Sequence, residues 1–268
     1  MKMTSTTVNM CPIKVVRTLI IVIAGLSNPW VHAFDMSATL EVGGWQEREE
    51  ITYNAKGKVM SINQVWVGIV EREEIAGIPH VWMEMRTQVY KENRKGERKA
   101  KGELAVMKTS IEESALTNFD EPFSNMRSFA KDTIIKNGNN KPMRLRAGGV
   151  IADMMLKAFG ANIEFSLVPT GTVKSIQTRA GSFDAEHYKG TGSVDMRVLI
   201  RRIHIDSEMD TWLSENVPLG VVKQEIVNTQ GKKITRVTTE LLDHGTGATS
   251  SINNSDAQDM PGFNLLNQ

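Results

Sequence analysis

The sequence predicts an α+β fold: one large curved antiparallel sheet, a half-open barrel, with one or two helices packed on its concave face. Short runs rich in β-branched and aromatic residues fill most of the chain, and turn signals such as residues 54–57 and 76–79 separate them. About five strands come first, and about six or seven follow a helical interval.

The segment Val81–Tyr90 alternates most clearly. A strand with one buried and one wetter face shows this pattern, because successive side chains point to opposite sides of a sheet. The expected buried face carries Val81, Met83, Met85 and Val89. The opposite face carries Trp82, Glu84, Arg86, Gln88 and Tyr90.

Two helices are expected to interrupt the strands. The first is Glu121–Lys136. The second is Val150–Phe159, where apolar residues recur at spacings of three and four and Gly160 follows as a stop. These apolar residues are Ile151, Met154, Met155 and Ala158.

Residues 1–33 resemble a cleavable secretory signal. Basic residues precede an apolar run, Thr18–Leu26, and small residues at 31–33 place cleavage before Phe34. The competing interpretation is a membrane anchor, which needs roughly 20 apolar residues. The run Thr18–Leu26 has nine residues and is too short for one. The sequence therefore predicts a periplasmic protein, soluble after cleavage, with one β-rich domain over 34–243 and a disordered tail over 244–268.

Cleavage would remove the only cysteine, Cys11, and three basic residues. The remaining chain would hold 29 lysines and arginines against 31 acidic residues, a balance of 29 − 31 = −2. This composition excludes thiol chemistry and disulfides in the exported form. It also argues against a general nucleic-acid binder, which carries a strongly basic surface.

The sequence contains no phosphate-binding loop, nucleophile elbow or zinc-protease helix, so no enzyme, cofactor or metal site is expected. The acidic cluster 206–210 is interpreted as an exposed polar turn, with a calcium site as the alternative. A hydrolase working through carboxylates is the less favoured functional class. Its candidates are Glu84, Asp206, Glu208 and Asp210.

The stretch Lys91–Lys101 has six basic and two acidic residues around Gly96, and we expect it to form the tip of a long hairpin. Its lysines fit a solvated tip that discourages aggregation. The alternative is a contact with anionic lipid or an acidic partner.

Methionine supplies the candidate ligand-binding residues. It is flexible, so a methionine-rich concave face suits acyl chains, although ordinary core filling is the alternative for any single residue. Other methionines on expected buried faces are Met143 and Met196. The candidate binding residues are Met83, Met85, Met107, Met154 and Met155.

Two stretches carry a resemblance to a known family. One is Val81-Trp82-Met83-Glu84-Met85, and the other runs from 180–188 to 212–223, where Trp212 precedes the turn at Pro218 and Gly220. The arrangement resembles the periplasmic lipoprotein-carrier (LolA/LolB-like) superfamily. The resemblance implies a half-open barrel whose concave face holds acyl chains beneath helices.

The expected function is that of an exported cell-envelope binding or carrier protein for an apolar ligand: an acyl chain, a lipidated protein or a hydrophobic peptide. The alternative is a non-catalytic structural or interaction protein of an envelope assembly, in which the end of the tail docks to a protein partner. Lipid, lipoprotein and envelope proteins are the expected partners. No nucleic acid and no transmembrane segment in the exported chain are expected.

Overall fold

The computed structural model describes residues 39–93, 95–114, 130–146, 162–198 and 201–259. The predicted signal, the predicted helix Val150–Phe159 and the end of the chain from residue 260 lie outside these ranges. Within them, no helix has the length and apolarity needed to cross a bilayer.

Thirteen strands form a single sheet in the order β13-β7-β6-β5-β3-β2-β1-β12-β11-β10-β9-β8, and β4 pairs with β3 beside this path. Neighbouring strands pair antiparallel, except that β13 runs parallel to β7. The strands are β1 Trp45–Asn54, β2 Val59–Ile75, β3 Ile78–Glu92, β4 Arg98–Ala100, β5 Ala105–Glu112, β6 Ala130–Asn137, β7 Met143–Arg146, β8 Asn162–Thr178, β9 Gly181–Val198, β10 Arg201–Leu213, β11 Val221–Gln230, β12 Lys233–Gly245 and β13 Gln258–Asp259.

The sheet curls so that its two halves meet. Val65 and Met85, on β2 and β3, belong to the same buried cluster as Leu167, Tyr188 and Leu213, on β8 to β10. Three strands, β1, β12 and β11, separate these groups in the sheet. Only a strongly curved sheet brings them into contact, and we call the side that carries these residues the enclosed face.

The α+β prediction, with helices on the concave face, is wrong for the described part of the chain. The helical residues in these ranges are Thr39, Glu113, Ser114 and the 3₁₀ turn Asn254–Asp256. The described end of the predicted helix Glu121–Lys136 is strand β6. Pairing with β5 overrides the local preference, because it buries Ile134 on the outer face and leaves its neighbour Ile135 on the enclosed face.

The alternation predicted for Val81–Tyr90 is confirmed within β3, but both faces of this strand are covered near its start. Val81 and Met85 pack into the cluster on the enclosed face. Trp82 and Glu84, on the outer face, are 2% and 0% exposed. The covering segment is the part of the chain that follows β12.

Residues 246–259 pack on the sheet, where the composition had predicted disorder. Ile252 is 2% exposed and lies in a cluster with Trp82, Val106 and Ile134. The segment ends in β13, beside β7. Ser250 and Ser251 donate to Glu84 of β3, and the Asn254 carbonyl accepts from Arg144 of β7. A composition that is typical of a solvated tail therefore belongs here to an anchored segment.

The turn between β10 and β11 matches its prediction. The Ser214 N–H donates to the Gly220 carbonyl at 2.8 Å, and Gly220 has a φ of +73°. This φ lies in the left-handed region that glycine tolerates. The hairpin predicted around Gly96 is also confirmed, since β3 and β4 pair on either side of it.

Candidate functional site

A row of apolar side chains crosses four neighbouring strands on the enclosed face. Met85 of β3 stands opposite Met107 of β5, and Met107 stands opposite Ile135 of β6. Ile135 in turn stands opposite Met143 of β7. Because strands lie about 4.8 Å apart, these residues form a line about 14 Å long. We call Met85, Met107, Ile135 and Met143 the methionine row.

The methionine row begins in the core and continues into a half-buried surface. Met85 is 6% exposed and belongs to the main core cluster. Met107 packs against that cluster but is half-buried, and Ile135 and Met143 are half-buried as well. Met83 and Ile111, also half-buried, lie on the same face beside the row. The row therefore runs from a solid core to an accessible apolar surface.

The structure brings together three of the five predicted binding residues: Met83, Met85 and Met107. Met154 and Met155 lie outside the described ranges. Sequence reasoning missed Ile135 as a member of the surface, because its segment was assigned to a helix. Only the strand register reveals that Ile135 and Met143 continue the line that Met85 begins.

Glu84 is not a catalytic candidate in this structure, because it fixes the segment after β12 to the outer face. The Ser251 N–H lies 3.0 Å from Oε2, and the Ser251 hydroxyl donates to Oε1 at 2.6 Å. The Ser250 hydroxyl lies 2.7 Å from Oε2, and Arg86 Nε donates to Oε1 at 2.7 Å. Burial alone raises the pKa of Glu84, but these hydrogen bonds outweigh it, and the pKa lies below its ordinary value.

The acidic cluster 206–210 lies inside strand β10, so its assignment to a turn is wrong. Strand alternation puts Asp206, Glu208 and Asp210 on one face. Glu208 and Asp210 line an open groove of about 380 Å³, together with Lys189 and Val168. Within the described ranges, no three or more histidine, cysteine or acidic side chains gather as metal ligands.

A chain of polar groups lies beside this groove and resembles a catalytic triad. Thr170 Oγ1 is 3.2 Å from His187 Nδ1, and His187 Nε2 is 2.8 Å from Asp210 Oδ1. However, the Thr170 hydroxyl donates its one hydrogen to the His187 carbonyl at 3.0 Å. The hydroxyl hydrogen therefore points to that carbonyl and not to Nδ1, so this geometry does not place the imidazole to take the proton of Thr170.

His187 has a packing role in addition to these contacts. Its ring stacks on that of Trp212, with 4.9 Å between the two ring centroids. Lys223, on the neighbouring strand β11, places its Nζ 4.9 Å from the centroid of the same indole. A second histidine, His204, contacts Asp195 at 3.1 Å and Asp206 at 3.0 Å. The hydrogen bond that His204 donates to Asp195 and the charge of Asp206 raise the pKa of His204 above its ordinary value. Sequence reasoning missed the contacts of His187 with Trp212 and of His204 with Asp195, because each joins two strands whose register it did not assign.

Strand β1, between β2 and β12, carries an unusual buried ion pair on the enclosed face. Arg48 and Glu50 are 3% and 7% exposed, and their closest charged atoms are 4.0 Å apart. Burial lowers the pKa of Arg48 and raises the pKa of Glu50, and the mutual attraction of the two charges opposes both changes. Among the described residues, Arg48 Nε and the side-chain oxygens Gln46 Oε1 and Asn63 Oδ1 are buried without a hydrogen-bond partner.

The sequence matches no protein-family model and no curated protein. Among the solved structures that are similar to the chain are the following two. One, described as a candidate lipoprotein of Parabacteroides distasonis ATCC 8503, is 15% identical with a TM-score of 0.37, over 77% of this chain and 96% of that one. The other, a candidate exported protein of Bacteroides fragilis NCTC 9343 with a YmcC-like fold, is 14% identical with a TM-score of 0.34, over 77% and 97%.

Both TM-scores are low, so neither similarity supports an argument about this chain. Neither description names a lipoprotein carrier. The resemblance to the LolA/LolB-like superfamily therefore stays a prediction.

Proposed function

We propose that the protein is an exported cell-envelope binding protein that holds an apolar chain along the methionine row. The observation that supports this is the directly paired line Met85–Met107–Ile135–Met143, whose first member lies in the core and whose other three members are half-buried. The ligand class is an acyl chain, either free or attached to a protein. The periplasm is the proposed location, from the signal-like first 33 residues.

The residue types of the row suit such a ligand. Methionine has three rotatable bonds and a polarizable sulfur, so it adapts to a chain that has no fixed shape. Each methylene removed from water contributes about 0.8 kcal/mol, whereas association costs at least about 4 kcal/mol. We therefore expect affinity to depend on chain length, with chains shorter than about six methylenes binding too weakly to measure.

The direct test is a titration of the purified protein with fatty acids of increasing length, which displace a dansyl-labelled fatty acid. Each added methylene is expected to tighten binding about fourfold until the row is covered. Replacing Met107 by glutamate puts a charge in the middle of the row, and we expect this variant to bind at least about tenfold more weakly.

Two further variants make the titration specific. Met107→Leu keeps the row apolar and should retain affinity within about threefold. Val173→Glu places the same charge at an exposed site on β8, where the side chain is 65% exposed, and should bind like the unaltered chain. Equal affinity of Met107→Glu and Val173→Glu, with both variants folded, would show that the ligand does not lie on the methionine row.

A further inference from the structure

Three hairpin turns lie side by side at one end of the sheet. Tyr53, at the end of β1, pairs with Val59 of β2 and with Arg236 of β12, so the β1–β2 turn and the β11–β12 turn are neighbours. Tyr90, near the end of β3, pairs with Ile62 of β2, and the β3–β4 turn follows it. Residues 54–60, 91–93, 95–104 and 230–236 thus share one end, which we call the basic end.

The basic end has a large excess of positive charge. Its residues include ten lysines and arginines against three glutamates, a balance of 10 − 3 = +7. The whole chain has a balance of +1, so the rest of it carries 1 − 7 = −6. Residues Glu71, Glu73, Glu74 and Glu112 lie near the β2–β3 turn, at the opposite end of the same strands. The charge distribution is therefore strongly polarised along the strands.

Exposed apolar side chains are concentrated at the same end. Val59, Met60, Leu104 and Ile234 are 40%, 50%, 41% and 45% exposed. They account for half of the large apolar side chains that are exposed in the described ranges. Exposing apolar side chains to water at turn tips is unfavourable. A surface that mixes apolar side chains with lysines is suited to the bilayer interface, where lipid head groups meet acyl chains.

The lysines of the basic end are available for an external partner. In the described ranges, Arg98 is the one member of this group that forms an ion pair with another described residue, through Glu92 and Glu49. Lys56, Lys58, Lys232 and Lys233 are exposed on the two turns that carry Val59, Met60 and Ile234. Lysine stems lie along apolar surface while their ammonium groups reach phosphates, as at a bilayer interface.

We propose that the basic end docks the protein on an anionic lipid bilayer. The strands then point away from the membrane, and the opposite end, which carries Glu71, Glu73 and Glu74, faces water. A lipid surface fits better than a nucleic acid, because apolar turn tips gain nothing from a phosphate backbone, whereas they enter a head-group layer. The polarised charge also orients the molecule before contact. This docking is independent of the methionine row.

The test is sedimentation of the purified protein with vesicles of phosphatidylcholine alone and with vesicles that also contain phosphatidylglycerol. We expect binding to the anionic vesicles only, and weaker binding as salt is raised. Each lysine near the surface contributes about fivefold to the affinity, so Lys56→Gln/Lys58→Gln should bind about 25-fold more weakly. Met60→Ser should also weaken binding, without changing its dependence on salt.

The matched control is Lys174→Gln/Lys189→Gln, which removes the same charge from exposed positions on β8 and β9 and should sediment like the unaltered chain. The Met107→Glu variant should also bind vesicles normally, so failure of the acyl ligand leaves this proposal intact. The proposal is overturned if the two lysine pairs have equal effects. It is likewise overturned if neutral vesicles bind equally well, or if double-stranded DNA binds and vesicles do not.

Discussion

Replacing Arg48 by methionine is expected to lower the free energy of unfolding by about 3–5 kcal/mol. The arginine is 3% exposed on the enclosed face, and its partner Glu50 is 7% exposed. Without Arg48, the Glu50 carboxylate loses its nearby positive charge but stays out of water. The cost arises mainly from that stranded charge, because the 4.0 Å separation of the pair makes the direct attraction modest.

The double variant Arg48→Met/Glu50→Leu should recover most of this loss, and a net gain of up to about 4 kcal/mol is the upper expectation. The enclosed face around the pair already contains Val65 and Leu241, which stand opposite Arg48 on the two neighbouring strands. Chemical denaturation of the two single variants and the double variant gives the coupling directly. If the double variant were as unstable as Arg48→Met, the stranded-charge explanation would fail.

The same pair predicts how stability depends on pH. Glu50 has a raised pKa in the folded state, so the folded protein binds its proton more tightly than the unfolded chain. The stability from protonated Glu50 is therefore fully present below the ordinary glutamate pKa of about 4.3 and is lost as the pH rises above it. This contribution should disappear from the pH profile of the double variant, whereas Glu47→Gln, on the outer face of β1, should keep it.

Replacing Glu84 by glutamine is expected to destabilise the protein by about 2–3 kcal/mol and to release residues 246–259 from the sheet. The carboxylate is fully buried and accepts hydrogen bonds from both the backbone and the hydroxyl of Ser251. A glutamine keeps the size but turns two of the acceptor positions into donors that face other donors. Ser251→Ala, which removes one of these hydrogen bonds, should cost about 1.5–3 kcal/mol.

Release of this segment has two readouts. Ile252 would leave Trp82, so the tryptophan emission should shift to longer wavelength, and a protease should cut between residues 246 and 259 while the sheet stays intact.

Acid should also weaken the attachment of residues 246–259. Because the folded pKa of Glu84 is lowered, its contribution is present above the ordinary glutamate pKa and is lost as the pH falls through the folded value. Normal resistance to the protease in Glu84→Gln would contradict this anchoring role.

Local patterns in the sequence predict the parts of the fold in which local chemistry decides the structure. The alternation of Val81–Tyr90 identifies β3, and Pro218 with Gly220 identifies the turn before β11. Met83, Met85 and Met107 could be chosen as candidates because two lie on that alternating strand and the third lies on a neighbouring one.

Other features depend on register, which a single sequence does not contain. Strand β6 reads as a helix until its pairing with β5 is known, and this error hid Ile135 from the candidate surface. The contact between His187 and Asp210 joins positions 23 residues apart on paired strands. The composition of residues 246–259 predicts a solvated tail. It cannot reveal that the segment is held by a buried carboxylate, Glu84, which lies far away in the chain.

Native mass spectrometry of the protein purified from the periplasm of a bacterial host tests whether the methionine row holds an apolar chain. We expect a population with an added mass that organic extraction identifies as an acyl-chain lipid. The same population should be lost in Met107→Glu and kept in Val173→Glu. A single unliganded mass for the unaltered protein, or an adduct that persists in Met107→Glu, would show that the row does not hold such a ligand.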